Sequence, residues 1–98
     1  AASHPGSGTA SLVEKPHGEA VVTFTDFETD NGPDLLVYLV PADSPAGSDE
    51  GAVDLGALKG NKGNQQYAIP TSTDLDQDWR VVVWCRAFTV SFTEAPLT

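Results

Sequence analysis

The chain holds a single cysteine, Cys85, within the stretch RVVVWCRAF at residues 80–88. A thiol reacts as its thiolate, and a neighbouring cation lowers its pKa. Arg86 follows at once. Cys85 is therefore the candidate redox thiol and Arg86 the candidate thiolate stabiliser. A nucleophile also needs a base within hydrogen-bond reach. The two histidines, His4 and His17, both lie in loop-like sequence near the start. His4 serves Cys85 only if the fold brings them together, and His17 reads as a surface residue. A lone cysteine is as often a small core filler. The residues alone leave packing and reactivity both open. With no second cysteine there is no intrachain disulfide, and any thiol cycle has to pass through a mixed disulfide with another molecule.

Oxygen donors come next. Asp26, Glu28, Asp30, Asn31 and Asp34 crowd one connection. That density suits Ca²⁺, although the spacing is not that of an EF-hand, and acidic turns are usually just solvated. A type I copper site is not expected, because it wants two histidines and usually an axial methionine. The chain has no Met, and no His follows Cys85. The stretch GNKGN at 60–64 lacks the phosphate-loop pattern and no helix follows it, so it reads as a hairpin turn. No G-x-S-x-G elbow exists. The other carboxylates lie in polar turns, where burial cannot raise a pKa. Apart from the thiol there is no catalytic constellation, and the chain reads more as a non-enzyme than as an enzyme.

The elements that would position these residues are short strands. TASLVE (9–14), EAVVTFTDFE (19–28), LLVYLV (35–40), VDLGAL (53–58), QQYAIP (65–70), WRVVVWC (79–85) and FTVSF (88–92) are separated by turn residues. Ala20, Val22 and Phe24 share one face of their strand. LLVYLV is apolar on both faces, which suggests a central strand. Phe88, Val90 and Phe92 are expected inward, with Thr89, Ser91 and Thr93 outward. Counting back by twos from Phe88 would put Arg86 in the core, so a turn or bulge is expected at 85–87. That break would lift Cys85 towards the rim of the sheet. No window carries helical periodicity. Residues 1–8 read as a tail or lead-in loop, and 9–98 as one β domain. The fold class is all-β, an antiparallel β-sandwich or small barrel of seven or eight short strands.

The totals bound the function. Ninety-eight residues make one domain. A net charge of −9, from 14 acids against 5 bases, opposes nucleic acid and anionic membranes. It favours solubility and attraction of cations or basic partners. No stretch reaches the roughly 18 apolar residues of a membrane helix, so no membrane insertion by this segment is expected. No signal peptide is seen. Without Met the chain is expected to be a processed or excised piece, with any leader or anchor outside it.

Three long pieces then carry a resemblance: NGPDLLVYLVP (31–41), VDLGALKGNKGNQQYAIP (53–70) and VVVWCRAFTVSF (81–92), with HPGSGTA (4–10) at the opening. Together they resemble the DM13 domain over nearly the whole chain. The resemblance implies an extracytoplasmic β-rich module, secreted or tethered to a membrane outside this segment. Such modules are found beside DOMON and cytochrome b561 domains, and electron transfer has been suggested for them. Cys85 sits at the place of the family's characteristic cysteine. Two functions follow as expectations. One is a redox accessory module acting through Cys85 on a redox protein partner. The other is a non-catalytic cell-surface binding or adhesion module, with Cys85 packed against Trp84 and the acidic loop at 44–50 doing the recognition, with a cation such as calcium as a candidate ligand. Exposure of Cys85 separates them.

Overall fold

The computed structural model describes residues 6–32, 34–45 and 47–97. Seven strands run in chain order: β1 (Gly6–Glu14), β2 (Ala20–Thr29), β3 (Leu35–Pro41), β4 (Val53–Ala57), β5 (Lys62–Ala68), β6 (Trp79–Cys85) and β7 (Val90–Pro96). They pair antiparallel into a three-stranded sheet, β1-β2-β5, and a four-stranded sheet, β4-β3-β6-β7. Among the described residues there is no helix, and so none long and apolar enough to cross a membrane. The all-β sandwich expected from the strand pattern is the observed fold. β1 begins at Gly6, so residues 6–8 belong to the first strand.

One core lies between the sheets. Ala20, Val22 and Phe24 of β2 face Val37 and Leu39 of β3 and Val81 and Val83 of β6, all buried. The alternation of β2 holds as far as Phe24 and is then reset. Pairing jumps from Phe24↔Gln65 to Phe27↔Gly63 on one side, and from Thr9↔Thr25 to Ser7↔Glu28 on the other. Such bulges insert a residue and re-aim the chain. Phe27 thereby joins Phe24 inside, with ring centroids 4.8 Å apart. Gly8 sits opposite this bulge with φ 108, where an added Cβ would lie 2.8 Å from backbone atoms of Thr25, Asp26 and Phe27. Gly8→Ala is expected to cost about 2 kcal/mol from backbone strain alone, read as a lowered urea midpoint.

β3 is the central strand its apolar faces implied, lying between β4 and β6. Its outer face is covered as well as its inner one. Val40, Val82 and Trp84 form a second buried cluster with Tyr38 and Ala52 packed against it, on the side away from the inter-sheet core. Tyr38 stacks on Trp84 at 5.9 Å. Ala52 ends the β3–β4 connection, so this connection folds back over the sheet.

Two expectations about turns are corrected. GNKGN is not a hairpin turn within one sheet. β4 belongs to the four-stranded sheet and β5 to the three-stranded one, so residues 58–61 cross between sheets, and Lys62–Asn64 are already strand. Tyr67 secures the crossing: its hydroxyl accepts from the Lys59 amide at 2.9 Å and donates to Gln65 Oε1. Phe88 is not inward but 65% exposed in the turn before β7, and Val90, opposite Cys85 in the last row, is 39% exposed, while Phe92 is buried as expected. A turn and a bulge interrupt the alternation. The register passes from Trp84↔Ser91 to Val83↔Thr93, leaving Phe92 as the extra residue that turns into the core. Residues 86–89 form the turn before it, and a parity count cannot pass through either feature.

Candidate functional site

The strand does break where expected. β6 ends at Cys85 and residues 86–89 turn into β7. Thr89 closes the turn with φ 52, and its amide donates to the Arg86 carbonyl at 3.4 Å. Cys85 therefore occupies the last row of its sheet, between Leu35 and Val90. The expected lift towards an accessible rim is corrected. Cys85 is 0% exposed and belongs to the inter-sheet core with Leu35, Val37, Val83 and Phe92. Parity along β6 explains this: Val81, Val83 and Cys85 point inward, whereas Val82 and Trp84 point out. Cys85 consequently does not pack against Trp84; the two share a peptide bond and face opposite sides of the sheet.

Arg86 points elsewhere too. Its Nε and Nη2 each donate at 2.8 Å to the carboxylate of Asp34, a two-pronged pair of the stronger kind. Its backbone amide donates to the Asp34 carbonyl at 3.1 Å. The hydrogen bond from Arg86, followed by its charge, holds the Asp34 carboxyl below its ordinary value of 3.8, and Asp34 raises Arg86 in turn. The guanidinium serves Asp34, and its expected role as a thiolate stabiliser has no support in this geometry. Asp34 takes φ 57, a left-handed backbone that Asp and Asn tolerate best among side-chain-bearing residues. Beside it, Gly32 lies against the Phe92 ring, which an added Cβ would meet at 2.8 Å. Gly32, Asp34 and the 86–89 turn close the end of the sandwich where Cys85 lies.

The residues of the calcium expectation have separate surroundings. Asp34 is bound to Arg86 across on the four-stranded sheet. Asp26 sits in the β2 bulge, its amide donating to Asn64 Oδ1 at 2.8 Å. Glu28 is on β2 between Ser7 and Lys62, and Asp30 and Asn31 follow beyond its end. Nearness in sequence does not converge their side chains: among the described residues no group of three or more His, Cys, Asp or Glu could hold a metal ion. His4 lies outside the described residues. His17 is exposed in the β1–β2 turn.

The residues missed from sequence are Arg80 and Glu94. Arg80 lies on the outward face of β6, the face of Val82 and Trp84, and its Nε donates to Glu94 Oε1 at 3.0 Å with both side chains largely buried. Its other nitrogens donate to carbonyls of Pro41, Ser44 and Pro45, and Glu94 Oε2 accepts from the Gly47 amide at 3.1 Å. The pair thus fastens the acidic β3–β4 connection onto the sheet. The available signal was a charged residue opening an otherwise apolar strand, which needs a partner when covered.

Chemically, the Cys85 end offers a shielded thiol one row beneath a surface turn. The turn is held by an exposed ion pair and carries the apolar side chain of Phe88, with the partly exposed Val90 next to it at the start of β7. No curated protein and no solved structure matches the chain at a significant level. The model of a family described as electron transfer DM13 does match, over residues 1–97, and the chain belongs to the DM13 family.

Proposed function

We propose that this chain is an extracytoplasmic electron-transfer accessory module in which Cys85 is the redox thiol and residues 86–89 are its cover. The observation that carries it is the placement of Cys85: wholly buried, yet in the last row of the sheet, under a turn fastened at the surface by Arg86 and Asp34. A thiol in an apolar core is inert. Release of the turn exposes it to water, where it loses its proton to solvent. The thiolate then attacks a partner protein's disulfide, forming a mixed disulfide and expelling the partner's other sulfur as thiolate. A thiolate of a second molecule then attacks the Cys85 sulfur and expels the partner's remaining sulfur as thiolate, so that Cys85 and the second thiol are oxidised to an intermolecular disulfide and the partner's disulfide is reduced to a dithiol. Phe88 and Val90 supply the small apolar contact typical of weak redox encounters, and the acidic chain favours a basic partner.

The test compares the native protein with Cys85→Ala and Asp34→Asn. Alanine is the better replacement, because the hydroxyl of serine in this core would cost roughly 1–3 kcal/mol unless it found a partner. Cys85→Ala should fold and lose thiol–disulfide exchange altogether. Asp34→Asn keeps the left-handed backbone, weakens the clasp, and should speed labelling of Cys85 several-fold, a modest factor because the pair is exposed. Labelling of Cys85 in the native chain that proceeds only at the rate of global unfolding would sink the proposal.

The full burial of Cys85 favours a second reading, a non-catalytic surface-binding module. Cys85 then only packs, and the connection at 42–52 recognises a basic partner. Cys85→Ala would leave that binding untouched, whereas neutralising Asp43, Asp49 and Glu50 would weaken it.

A further inference from the structure

The two sheets do not close along every edge. β1 and β7 run side by side as the outer strands of different sheets, and the Ala10↔Leu97 bridge joins them at one point. Between residues 6–10 and residues 93–96 the seam opens into a cavity of about 140 Å³. Its floor is Phe24, Phe27, Val81 and Val83, buried side chains of both sheets. One wall is GSGTA, which has no bulky side chain, and Gly6 to Thr9 are exposed at the mouth. Cys85 does not line it.

We infer that this cavity is a binding site for a neutral, single-ring aromatic molecule of about the size of phenol. Size is the first reason: apolar cavities of roughly 150 Å³ take up benzene. Chemistry of the floor is the second. Phe24 and Phe27 are tilted at 38° to each other, and a third ring beside them gains the offset or edge-on contacts that aromatic groups prefer. Charge is the third. Glu94 is the one ionisable residue among those lining the cavity, and its carboxylate is taken up by Arg80, Ser91 and the Gly47 amide. An ion would meet no counter-charge there, so the ligand is neutral. Ser7, Thr9 and Thr93 offer hydroxyls near the mouth for one polar substituent.

The experiment is an amide-resolved NMR titration of the intact chain with phenol, with cyclohexanol as the non-aromatic probe. Phenol should give saturable shifts centred on residues 6–10 and 93–95, and cyclohexanol should bind more weakly. Ala95 pairs with Val81 and lines the cavity, so Ala95→Leu fills it. That variant should bind phenol at least about tenfold more weakly, a loss of roughly 1.4 kcal/mol, with an unfolding temperature no lower than the parent's. Should Ala95→Leu fail to fold, Val81→Ile serves as the filling variant. Absent or non-saturating shifts, shifts centred elsewhere, undiminished affinity in the filled variant, or equal binding of cyclohexanol would each overturn the assignment.

Discussion

Cys85 in the folded domain is expected to react with a pyridyl disulfide at least about a thousandfold more slowly than in denaturant. The sulfur has no exposed surface, so each reaction waits for an opening, and core openings approach the global stability of a domain, on the order of 5–15 kcal/mol. The informative quantity is the opening free energy from labelling, set against the unfolding free energy from urea. A smaller labelling value means that the 86–89 turn releases Cys85 while the sheets stay folded, as a redox thiol requires. Equal values mean that only global unfolding exposes it, and Cys85 is then core. Acid supplies a second axis. Asp34 is held below its ordinary value of 3.8, chiefly by the hydrogen bond from Arg86. A carboxyl lowered in the folded state contributes its stabilisation above the unfolded value and loses it as pH falls through the folded one. The clasp therefore stands at neutral pH and fails in acid below 3.8. Pyridyl disulfides stay reactive in acid, so native labelling, normalised to the denatured chain, should accelerate there. In Asp34→Asn that acceleration should be absent. Acceleration of equal size in the variant would remove the clasp from the account of how Cys85 is covered.

How much of this was legible in the sequence can be read residue by residue. Strand alternation placed Ala20, Val22 and Phe24, and the two-faced apolar run placed β3 at the centre of its sheet. Those patterns are local and survive packing. Phe88 and Thr93 depart from period-two counting because it assumes an unbroken strand: Phe88 lies in the turn at 86–89, and the bulge at Phe92 brings Thr93 opposite the inward-facing Val83. GNKGN was misread as a hairpin because turn composition does not say which sheet the next strand joins. At the candidate site, the adjacency of Arg86 to Cys85 suggested partnership. The strand ends at Cys85, and Arg86, the first residue of the turn, instead finds Asp34 at a separation of 52 residues. That pairing depends on β3 lying beside β6, and nothing local encodes it. Asp34 had been grouped with the acids around it for the same reason.

Arg80→Met should lower stability by about 3 kcal/mol, the cost of leaving a partly buried carboxylate without its cation. Methionine keeps an apolar stem over Val82 but removes every donor. Arg80 and Glu94 are only 13% and 14% exposed, so water does not readily replace the lost bonds. The Pro41 and Ser44 carbonyls lose donors at 3.0 Å, the Pro45 carbonyl loses one at 2.8 Å, and Glu94 keeps only Ser91 at 2.7 Å and the Gly47 amide at 3.1 Å. A urea midpoint shift measures the total. The double variant Arg80→Met with Glu94→Gln separates pair from packing: it should be less destabilised than the sum of the single variants, because the unpaired charge is gone. Additive losses would mean that Arg80 acts through its bonds to the carbonyls alone. The consequence reaches the surface. The same pair holds the acidic connection over Trp84 and Tyr38, so its loss should raise the solvent exposure of Trp84 and shift its fluorescence to the red. If basic partners bind through this connection, Arg80→Met should also weaken them, while thiol exchange at Cys85, on the opposite face of the sheet, should keep its rate under conditions where the variant is folded. The two candidate functions thus part on one substitution, because the sheet that carries both puts Arg80 on its outer face and Cys85 on its inner one.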